Sequence, residues 1–155
     1  VSTFAVKCAE KLRRQKTCCN AIQVFITTNY FREDLPQYSN AITVKLPFAT
    51  NSAIELANFA SIGLEKIFRS GFKYKKAGVL VMDFTPEDNQ QLNIFENRDA
   101  RHIPLMKAID KINSRYSKDI VRLSTQAPGR TWRMKQEKLS QHYTTDINEI
   151  IKVNI

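Results

Sequence analysis

The stretch AIQVFITT, residues 21 to 28, decides the fold, because its apolar residues alternate with a period of two. Side chains alternate between the two sides of a β-strand, so this period predicts a strand with one buried face. The two sets would point in opposite directions: Ile22, Val24 and Ile26 into the core, and Gln23, Phe25 and Thr27 away from it. The second face is then left to solvent or to a ligand.

Two further segments carry strand signals. AITVKL (41–46) alternates in the same way, with Ile42, Val44 and Leu46 on one face and Ala41, Thr43 and Lys45 on the other. KKAGVLVMDF (75–84) is mostly apolar, which indicates a strand near the centre of a sheet.

Helical signals surround these strands. Residues 3–16 carry Phe4, Cys8 and Leu12 at four-residue spacing. Residues 50–71 predict a second helix, with Ser52 and Glu55 as a capping box and Gly71 as the C-terminal cap. The order helix, strand, strand, helix, strand favours an α+β fold, in which a mostly antiparallel sheet has two helices packed on one face.

The character of the chain changes after Phe84. TPEDNQQ (85–91) is a polar linker, and residues 102–116 predict another helix with Pro104 near its start. The apolar face of this helix would hold Leu105, Ile109, Ile112 and Tyr116. We therefore expect a domain of residues 1–85, a linker of residues 86–100, and a helical carboxy-terminal extension of residues 101–155.

The chain has 155 residues, a net charge of +9 and a pI near 9.6, which suits one domain or one domain with an extension. The basic surplus favours polyanionic partners, although a solubility surface without a ligand explains it equally well. The apolar runs are too short to cross a membrane. Because the chain opens at Val1 without a secretion signal, we interpret it as a fragment of a longer protein.

Catalytic motifs are missing from the sequence. It contains no nucleophile elbow, P-loop, dinucleotide-binding turn or paired metal ligands, so we expect no catalytic residue, metal site or cofactor in this chain. Asp83 ends a strand, and a solvated acid is the favoured interpretation over a metal ligand. His102 and His142 are expected at the surface, far from Cys8, Cys18 and Cys19, and the odd number of thiols argues against a disulfide framework.

The outer sheet face collects groups that suit phosphate. Thr27, Thr28, Thr43 and Lys45 are predicted to be outward or terminal on adjacent strands, and Lys73, Lys75 and Lys76 lead into the third strand. Hydroxyl and ammonium donors suit phosphate oxygens, so these seven residues are candidates for DNA binding. The alternative is an ordinary solvated face, and the glycine-flanked aromatic pattern of an RRM is not present.

Five ordered segments resemble one family. AEKLRRQKTCCNAIQVFITTNYF (9–31), NAITVKLPFATNSAIELANFA (40–60), GFKYKKAGVLVMDFTP (71–86), QLNIF (91–95) and WRMKQEKLSQHYTTD (132–146) are similar to the carboxy-terminal third of UmuC-type Y-family DNA polymerases. The resemblance covers nearly the whole chain: the little finger domain and the extension that follows it.

The resemblance implies a lesion-bypass polymerase of the bacterial SOS response, in the cytoplasm, whose little finger grips DNA backbone phosphates. It implies a processed UmuD-type dimer and the recombinase filament as partners, with partner contacts toward the carboxy terminus. Magnesium would serve the full-length polymerase, whereas the palm and its metal-binding carboxylates are not in this chain. The family's little finger also starts with a strand before its first helix, so an edge strand is expected to be missing here.

QLNIF resembles the pentapeptide that bacterial polymerases insert into a pocket on the sliding clamp. Leu92, Ile94 and Phe95 would fill the pocket, and Gln91 would offer an amide for hydrogen bonds. The alternative is that the three apolar side chains pack back on the domain.

Two other function classes stay open beside a DNA-gripping and clamp-recruitment module. One is a stand-alone nucleic-acid-binding α+β module without a polymerase. The other is a protein-interaction scaffold without affinity for DNA.

Overall fold

The computed structural model describes residues 1–89, 99, 101–116, 120–126 and 139–141. The elements follow in the order α1 (Ser2–Arg14), β1 (Thr17–Thr28), β2 (Ser39–Thr50), α2 (Ala53–Ile67), β3 (Tyr74–Pro86), a short 3-10 turn (Glu87–Asn89) and α3 (His102–Arg115). The strands form one antiparallel sheet in the order β2-β1-β3, with helices packed against it. The predicted α+β fold is confirmed, and α3 is the part of the predicted helical extension that the structure describes.

β1 is the central strand, since it pairs with both neighbours. Val24 lies opposite Ile42 of β2 and Val79 of β3. Ile22 and Val24 are fully buried, and Ile26 is 3% exposed, so the period of two in β1 is confirmed. The central position predicted for residues 75–84 is wrong, because β3 pairs only with β1 among the described residues. Its apolar side chains instead lie on both faces of an edge strand.

Both α1 and α2 pack on the inner face of the sheet. The α1 helix buries Ala5, Ala9 and Leu12, while Phe4 and Cys8 are only partly buried. The buried stripe is therefore rotated by one residue from the predicted one, and small side chains let the helix approach its neighbours closely. Within the described part of the chain, no helix has both the length and the apolar composition of a membrane span.

The predicted capping box at the start of α2 is wrong. Ser52 is the N-cap residue, but its side chain makes no capping hydrogen bond. The backbone N–H of Ser52 donates to Oγ1 of Thr50 at 3.0 Å, and that hydroxyl donates to the carboxylate of Glu55. Glu55 is thus committed to side-chain partners and does not reach back to the helix terminus.

The C-terminal cap of α2 also differs from the prediction. The helix ends at Ile67, and Phe68 already has an extended backbone, with ψ of 134°. Gly71 lies beyond it in a turn, where φ is 88°. The Tyr38 hydroxyl donates to the carbonyl of Ile67 at 2.8 Å and so satisfies one of the last carbonyls of the helix.

The third helix, α3, packs against α1 and the start of α2. Its Met106 is 2% exposed and belongs to the hydrophobic core. Arg13 of α1 donates from Nε and Nη2 to the two carboxylate oxygens of Asp110, at 2.6 and 2.7 Å, and from Nη1 to the carbonyl of Asn51 at 2.8 Å. The first part of the extension is therefore built into the body of the domain.

Candidate nucleic-acid interface

The outer face of the sheet is a grid of three strands and four rows. The register places these residues side by side across β2, β1 and β3: Lys45, Ala21 and Met82; Thr43, Gln23 and Leu80; Ala41, Phe25 and Gly78; Ser39, Thr27 and Lys76. The α1 and α2 helices pack on the inner face of the sheet, and α3 contacts α1 and the start of α2. We call this grid the outer sheet face.

The β2 side of the outer sheet face is polar. Thr43 is exposed, and its hydroxyl accepts a hydrogen bond from Nε2 of Gln23 at 3.2 Å. Lys45 is exposed in the first row, next to Thr43. Since the Thr43 hydroxyl keeps its own proton available, the pair presents one hydroxyl donor and one ammonium group.

Cations also stand at the opposite end of the face. Lys76 lies across from Thr27 in the last row, Lys75 is exposed next to it on β3, and Lys73 is exposed just before the strand begins. Ala21 and Thr27 are six positions apart on β1, so the Lys45 and Lys76 rows are separated by about 20 Å. Positive charge therefore lies at both ends of the uncovered face.

Tyr30 is a residue of this end that the sequence interpretation missed. It is 62% exposed, and hydrogen bonds with the side chains of Ser39 and then Thr27 lower the pKa of its phenol. Both partners belong to the last row of the grid. Its position after a strand end in a polar loop is the sequence signal that could have indicated it.

The structure places Thr28 away from this surface. It is 4% exposed, its hydroxyl donates to Oε1 of Gln37 at 2.6 Å, and it accepts from the backbone N–H of Tyr38 at 3.1 Å. Thr28 is terminal on β1, as predicted, but its buried and bonded hydroxyl is not available to a phosphate. A register irregularity between Thr27 and Thr28 turns the strand end inward.

The β3 side of the outer sheet face is apolar. Leu80 is 45% exposed, and Met82 lies beside it in the next row. The ring of Phe25 covers Gly78, where an added Cβ would lie 2.2 Å from Cζ of Phe25. A side chain at Gly78 would thus displace the ring, which explains why glycine fits this row.

An irregularity in β3 adds a further exposed aromatic. Asp83 has a φ of 57°, and both Asp83 and Phe84 are exposed, so the alternation stops there. Asn20 supports this backbone by donating from Nδ2 to the Asp83 carbonyl at 2.9 Å and to Oγ1 of Thr85 at 2.8 Å. The Asp83 side chain is a solvent-exposed acid at a position of positive φ within the strand.

The clamp-binding prediction lies outside the described residues. Gln91, Leu92, Ile94 and Phe95 belong to a range of which the structure describes nothing. The last described element before them is the turn Glu87–Asn89, and the backbone N–H of Glu87 donates to the carbonyl of Lys16 at 2.9 Å. Most of the segment 132–146, which carries part of the family resemblance, also lies outside the described ranges.

One buried cluster resembles a catalytic triad in composition only. Nδ1 of His102 lies 2.9 Å from Oε1 of Glu55 and 3.3 Å from Oγ of Ser52. A triad needs its nucleophile and its acid on opposite ring nitrogens, whereas both contacts here share Nδ1. His102 is also not a surface residue as predicted, because its side chain is 18% exposed and joins α3 to α2.

The thiols and acids of the described residues form no metal-binding group of three or more ligands. Burial raises the pKa of the Cys19 thiol to about 12, and the neighbouring Cys18 adds to this shift. Burial likewise raises the pKa of Cys8. Such thiols are poor nucleophiles near neutral pH.

Comparisons with known proteins match the chain in two parts. A model described as the impB/mucB/samB family C-terminal domain matches residues 1–94. A second model, described as a domain of unknown function (DUF4113), matches residues 104–153. The first match contains the sheet with α1 and α2, and the second begins inside α3.

Relatives that match nearly the whole of this chain belong to the same family. Protein UmuC of Salmonella typhimurium is 34% identical over 155 residues, which cover 99% of this chain and 37% of that protein. Protein ImpB of Salmonella typhimurium is 36% identical over 97% of this chain and 36% of its own length. Protein MucB of Escherichia coli is 35% identical over 97% of this chain and 36% of its own length. The chain spans just over a third of these relatives, and it belongs to the impB/mucB/samB family through the C-terminal domain that it matches.

Proposed function

We propose that this chain grips the backbone of duplex DNA with its outer sheet face, as a module of an error-prone translesion polymerase of the SOS response. The observation that carries the proposal is the position of Lys45 and Lys76 at opposite ends of a face that no described helix covers. Phosphate contacts of this kind hold a protein on DNA without reading its sequence. The family membership supports the same role.

The catalytic part of that polymerase would lie in the rest of a longer protein. The relatives are more than twice as long as this chain. We therefore assign nucleotidyl transfer, and the magnesium ions that it needs, to a palm in the rest of the longer protein. The residues of this chain then bind and orient DNA, and we assign no chemical step to them. The proposed division is a little finger of residues 1–85, a linker of residues 86–100 and an extension of residues 101–155.

Recruitment to the sliding clamp is the second half of the proposal. QLNIF follows directly after β3 and the turn Glu87–Asn89, which suits a peptide presented from the end of a fixed strand. A processed UmuD-type dimer and the recombinase filament are proposed as further partners through the extension. These assignments rest on the family resemblance.

The DNA proposal is tested by the salt dependence of binding. Replacing Lys45, Lys75 and Lys76 together with Ala is expected to weaken duplex binding and to flatten the slope of log K against log salt by about 2 to 3. The matched control changes three helix lysines to Ala instead: Lys66 of α2, and Lys107 and Lys111 of α3. It removes the same charge from the helix layer. Fluorescence anisotropy over a salt series measures both slopes.

The comparison of the two triple variants decides the outcome. If the control flattens the slope as much as the sheet variant, the attraction comes from net charge, and the outer sheet face is not the DNA site. Thermal unfolding of each variant checks that all six lysines are dispensable for the fold.

A further inference from the structure

Four aromatic rings meet at the end of the domain where β2 and β3 begin and α2 stops. They are Tyr38, Phe68, Phe72 and Tyr74. The ring centres of Phe68 and Tyr74 lie 5.5 Å apart, and those of Tyr38 and Phe72 lie 5.1 Å apart. The ring centre of Tyr74 is also 6.3 Å from that of Tyr38 and 6.5 Å from that of Phe72. Rings at these distances are in contact, so the four form one group, which we call the aromatic end.

Hydrogen bonds fix the two tyrosines of the aromatic end. The Tyr38 hydroxyl donates to the carbonyl of Ile67 at 2.8 Å and accepts from Nδ2 of Asn40 at 2.9 Å. The Tyr74 hydroxyl accepts from the backbone N–H of Arg69 at 3.0 Å and donates to the carbonyl of the same residue at 2.8 Å. Both tyrosines also pack against the hydrophobic core. A ligand would therefore meet side chains that are already ordered, which lowers the entropy cost of binding.

The outer part of the aromatic end is open to solvent. Phe68 is 54% exposed, although its ring contacts that of Tyr74. An exposed ring gains free energy when another flat apolar surface covers it. Phe68 thus offers a stacking surface that is supported from within the domain.

Positive charge accompanies these rings. The guanidinium of Arg69 lies 4.9 Å from the ring centre of Tyr38, and Lys73 is exposed just before β3. Among the described residues, neither cation forms a salt bridge. Residues 66 to 82 include no acidic side chain and five basic ones: Lys66, Arg69, Lys73, Lys75 and Lys76.

Acidic side chains near this end offset the positive charge only in part. Asp34 is paired with Arg32, whose Nε and Nη2 donate to the two carboxylate oxygens at 2.7 and 2.6 Å. The segments 29–38 and 65–76 together hold six basic and three acidic side chains, so their net charge is +3. The three acids are Glu33, Asp34 and Glu65.

We propose that the aromatic end binds single-stranded DNA, with an unpaired base stacked on Phe68 and backbone phosphates held by Arg69 and Lys73. Rings beside cations suit a single strand, because every base has a flat face and every nucleotide carries a phosphate. The bases of a duplex are stacked on one another, so their faces are not free to cover Phe68.

The aromatic end adjoins the outer sheet face. Tyr74 pairs with Thr28, next to the row of Thr27 and Lys76. A single strand that continues from a duplex on the outer sheet face can therefore reach the aromatic end. The inference goes beyond the proposed function, because a grip on duplex phosphates does not require an unpaired base.

Binding of two single-stranded probes to the full chain tests the stacking contact. One probe is a short fluorescent oligothymidylate, and the other is an abasic oligonucleotide of the same length and charge. The thymidylate is expected to bind about tenfold more tightly, because only its bases can stack on Phe68. Phe68→Leu is expected to remove most of this difference, and Phe68→Trp is expected to keep it.

The double variant Arg69→Gln with Lys73→Gln tests the phosphate contacts. It should weaken both probes and flatten the slope of log K against log salt by about 1.4, since each phosphate contact on a single strand contributes about 0.7. Lys107→Gln with Lys111→Gln removes the same charge from α3 and is the matched control. Equal flattening by the control would assign the effect to net charge and overturn the phosphate contacts.

Phe84→Leu is the matched aromatic control for Phe68→Leu. Phe84 is 60% exposed, but it lies toward the other end of β3 and beside Asp83. The control is expected to leave the preference for thymidylate unchanged, and thermal unfolding checks that each variant is folded. Equal loss of preference in Phe84→Leu and Phe68→Leu would overturn the proposal. So would equal affinity of the full chain for the two probes, or no binding of the thymidylate.

Two other occupants are distinguished by the same Phe68→Leu variant. Polyglutamate tests an acidic protein partner, and a blunt duplex tests the site proposed on the outer sheet face. Phe68→Leu is expected to leave the affinity for both unchanged. If it weakens either of them as much as it weakens thymidylate binding, Phe68 is not specific for an unpaired base and the proposal is wrong.

Discussion

Thr43 and Thr28 lie on neighbouring strands with opposite surroundings, although the sequence suggested a common role. Thr43 is exposed on the outer sheet face, whereas Thr28 is buried and bonded to Gln37 and Tyr38. A hydroxyl that satisfies a backbone N–H stabilises the fold, and an exposed one is available to a ligand.

Valine at each position should separate these roles. Thr28→Val leaves the Tyr38 N–H without its partner, so we expect it to lower the free energy of unfolding by about 1–2 kcal/mol. Thr43→Val is expected to change stability by less than about 0.5 kcal/mol and to weaken DNA binding. Urea denaturation and anisotropy measure both effects. Equal destabilisation by the two variants would contradict this assignment.

Cys19 gives a prediction about pH and reactivity. Its pKa of about 12 lies some three pH units above the ordinary value of 9.0, so near pH 8 its thiolate fraction is about a thousandfold below that of an unperturbed thiol. We expect Cys19 to alkylate far more slowly than Cys8, which is only partly buried. Fragment-ion mass spectrometry after timed alkylation resolves the two sites, and equal rates would contradict the buried position.

The raised pKa of Cys19 also makes the stability of the fold depend on pH. A thiol whose pKa is raised by folding stays protonated in the native state after the unfolded chain has ionised. Its contribution to stability is therefore complete below about pH 9 and is lost as the pH rises toward 12. Replacing Cys19 with Ala should reduce the alkaline loss of stability in this window, measured by urea denaturation at several pH values.

At the scale of elements, α3 is the clearest case of a helix held by its polar side. Sequence spacing identified the helix and its apolar stripe, yet Arg13, Glu55 and the buried Met106 determine how it docks. Ion-pair partners from α1 and α2 are distant in sequence, so no local pattern contains them.

The Arg13–Asp110 pair should hold α3 on the domain. Arg13 is 11% exposed and Asp110 is 35% exposed, so Asp110→Asn leaves a largely buried guanidinium with weaker partners. After allowance for solvent at Asp110, we expect a loss of about 1–3 kcal/mol. Amide hydrogen exchange in α3 should accelerate more than exchange in β1, because α3 can detach locally.

Asp34→Asn is the matched control for this prediction. Arg32 also donates from Nε and Nη2 to the two oxygens of its aspartate, at 2.7 and 2.6 Å, but this pair is exposed. Its loss should leave stability unchanged within error. Similar effects of Asp34→Asn and Asp110→Asn would mean that burial does not strengthen the Arg13 pair.

At the scale of the whole molecule, the two sides of the domain differ in chemistry. The sheet side offers hydroxyls and lysines beside an apolar strip of Leu80 and Met82, and the helix side carries α3 with its exposed stripe. The residues of the sheet side can therefore be mutated without changing the helix side.

The clamp peptide gives the prediction at this scale. Burial of Leu92, Ile94 and Phe95 would contribute about 4–9 kcal/mol, and ordering the segment would cost about 2–5 kcal/mol, which indicates affinity at best near micromolar. Phe95→Ala and Leu92→Ala are expected to abolish detectable clamp binding, and Gln91→Ala to weaken it less. Clamp affinity and thermal midpoint are measured for each variant.

The thermal midpoint is the control, since a presented peptide contributes little to the core. Phe95→Ala should leave it unchanged. A fall of several degrees with clamp binding intact would identify the three apolar side chains as core residues.

Local periodicity was sufficient to predict the strands and the helices of the part of the chain that the structure describes. The alternation in residues 21–28 and 41–46 reflects a backbone that turns successive side chains to opposite faces, so it is visible without a partner strand. The fold class followed from the order of the elements. The outer positions of Thr43 and Lys45 followed from the same alternation.

Tertiary contacts decided the features that the periodicity of the sequence does not predict. Glu55 bonds to Thr50 and His102 instead of capping the helix. The irregularity between Thr27 and Thr28 turns Thr28 inward, and the pairing of β1 with both neighbours makes β3 an edge strand. The face on which α3 docks depends on Arg13, which is 97 residues away in the chain. Each choice is made by groups that meet only in the folded chain, where the free energy of burying and pairing them exceeds their local preferences.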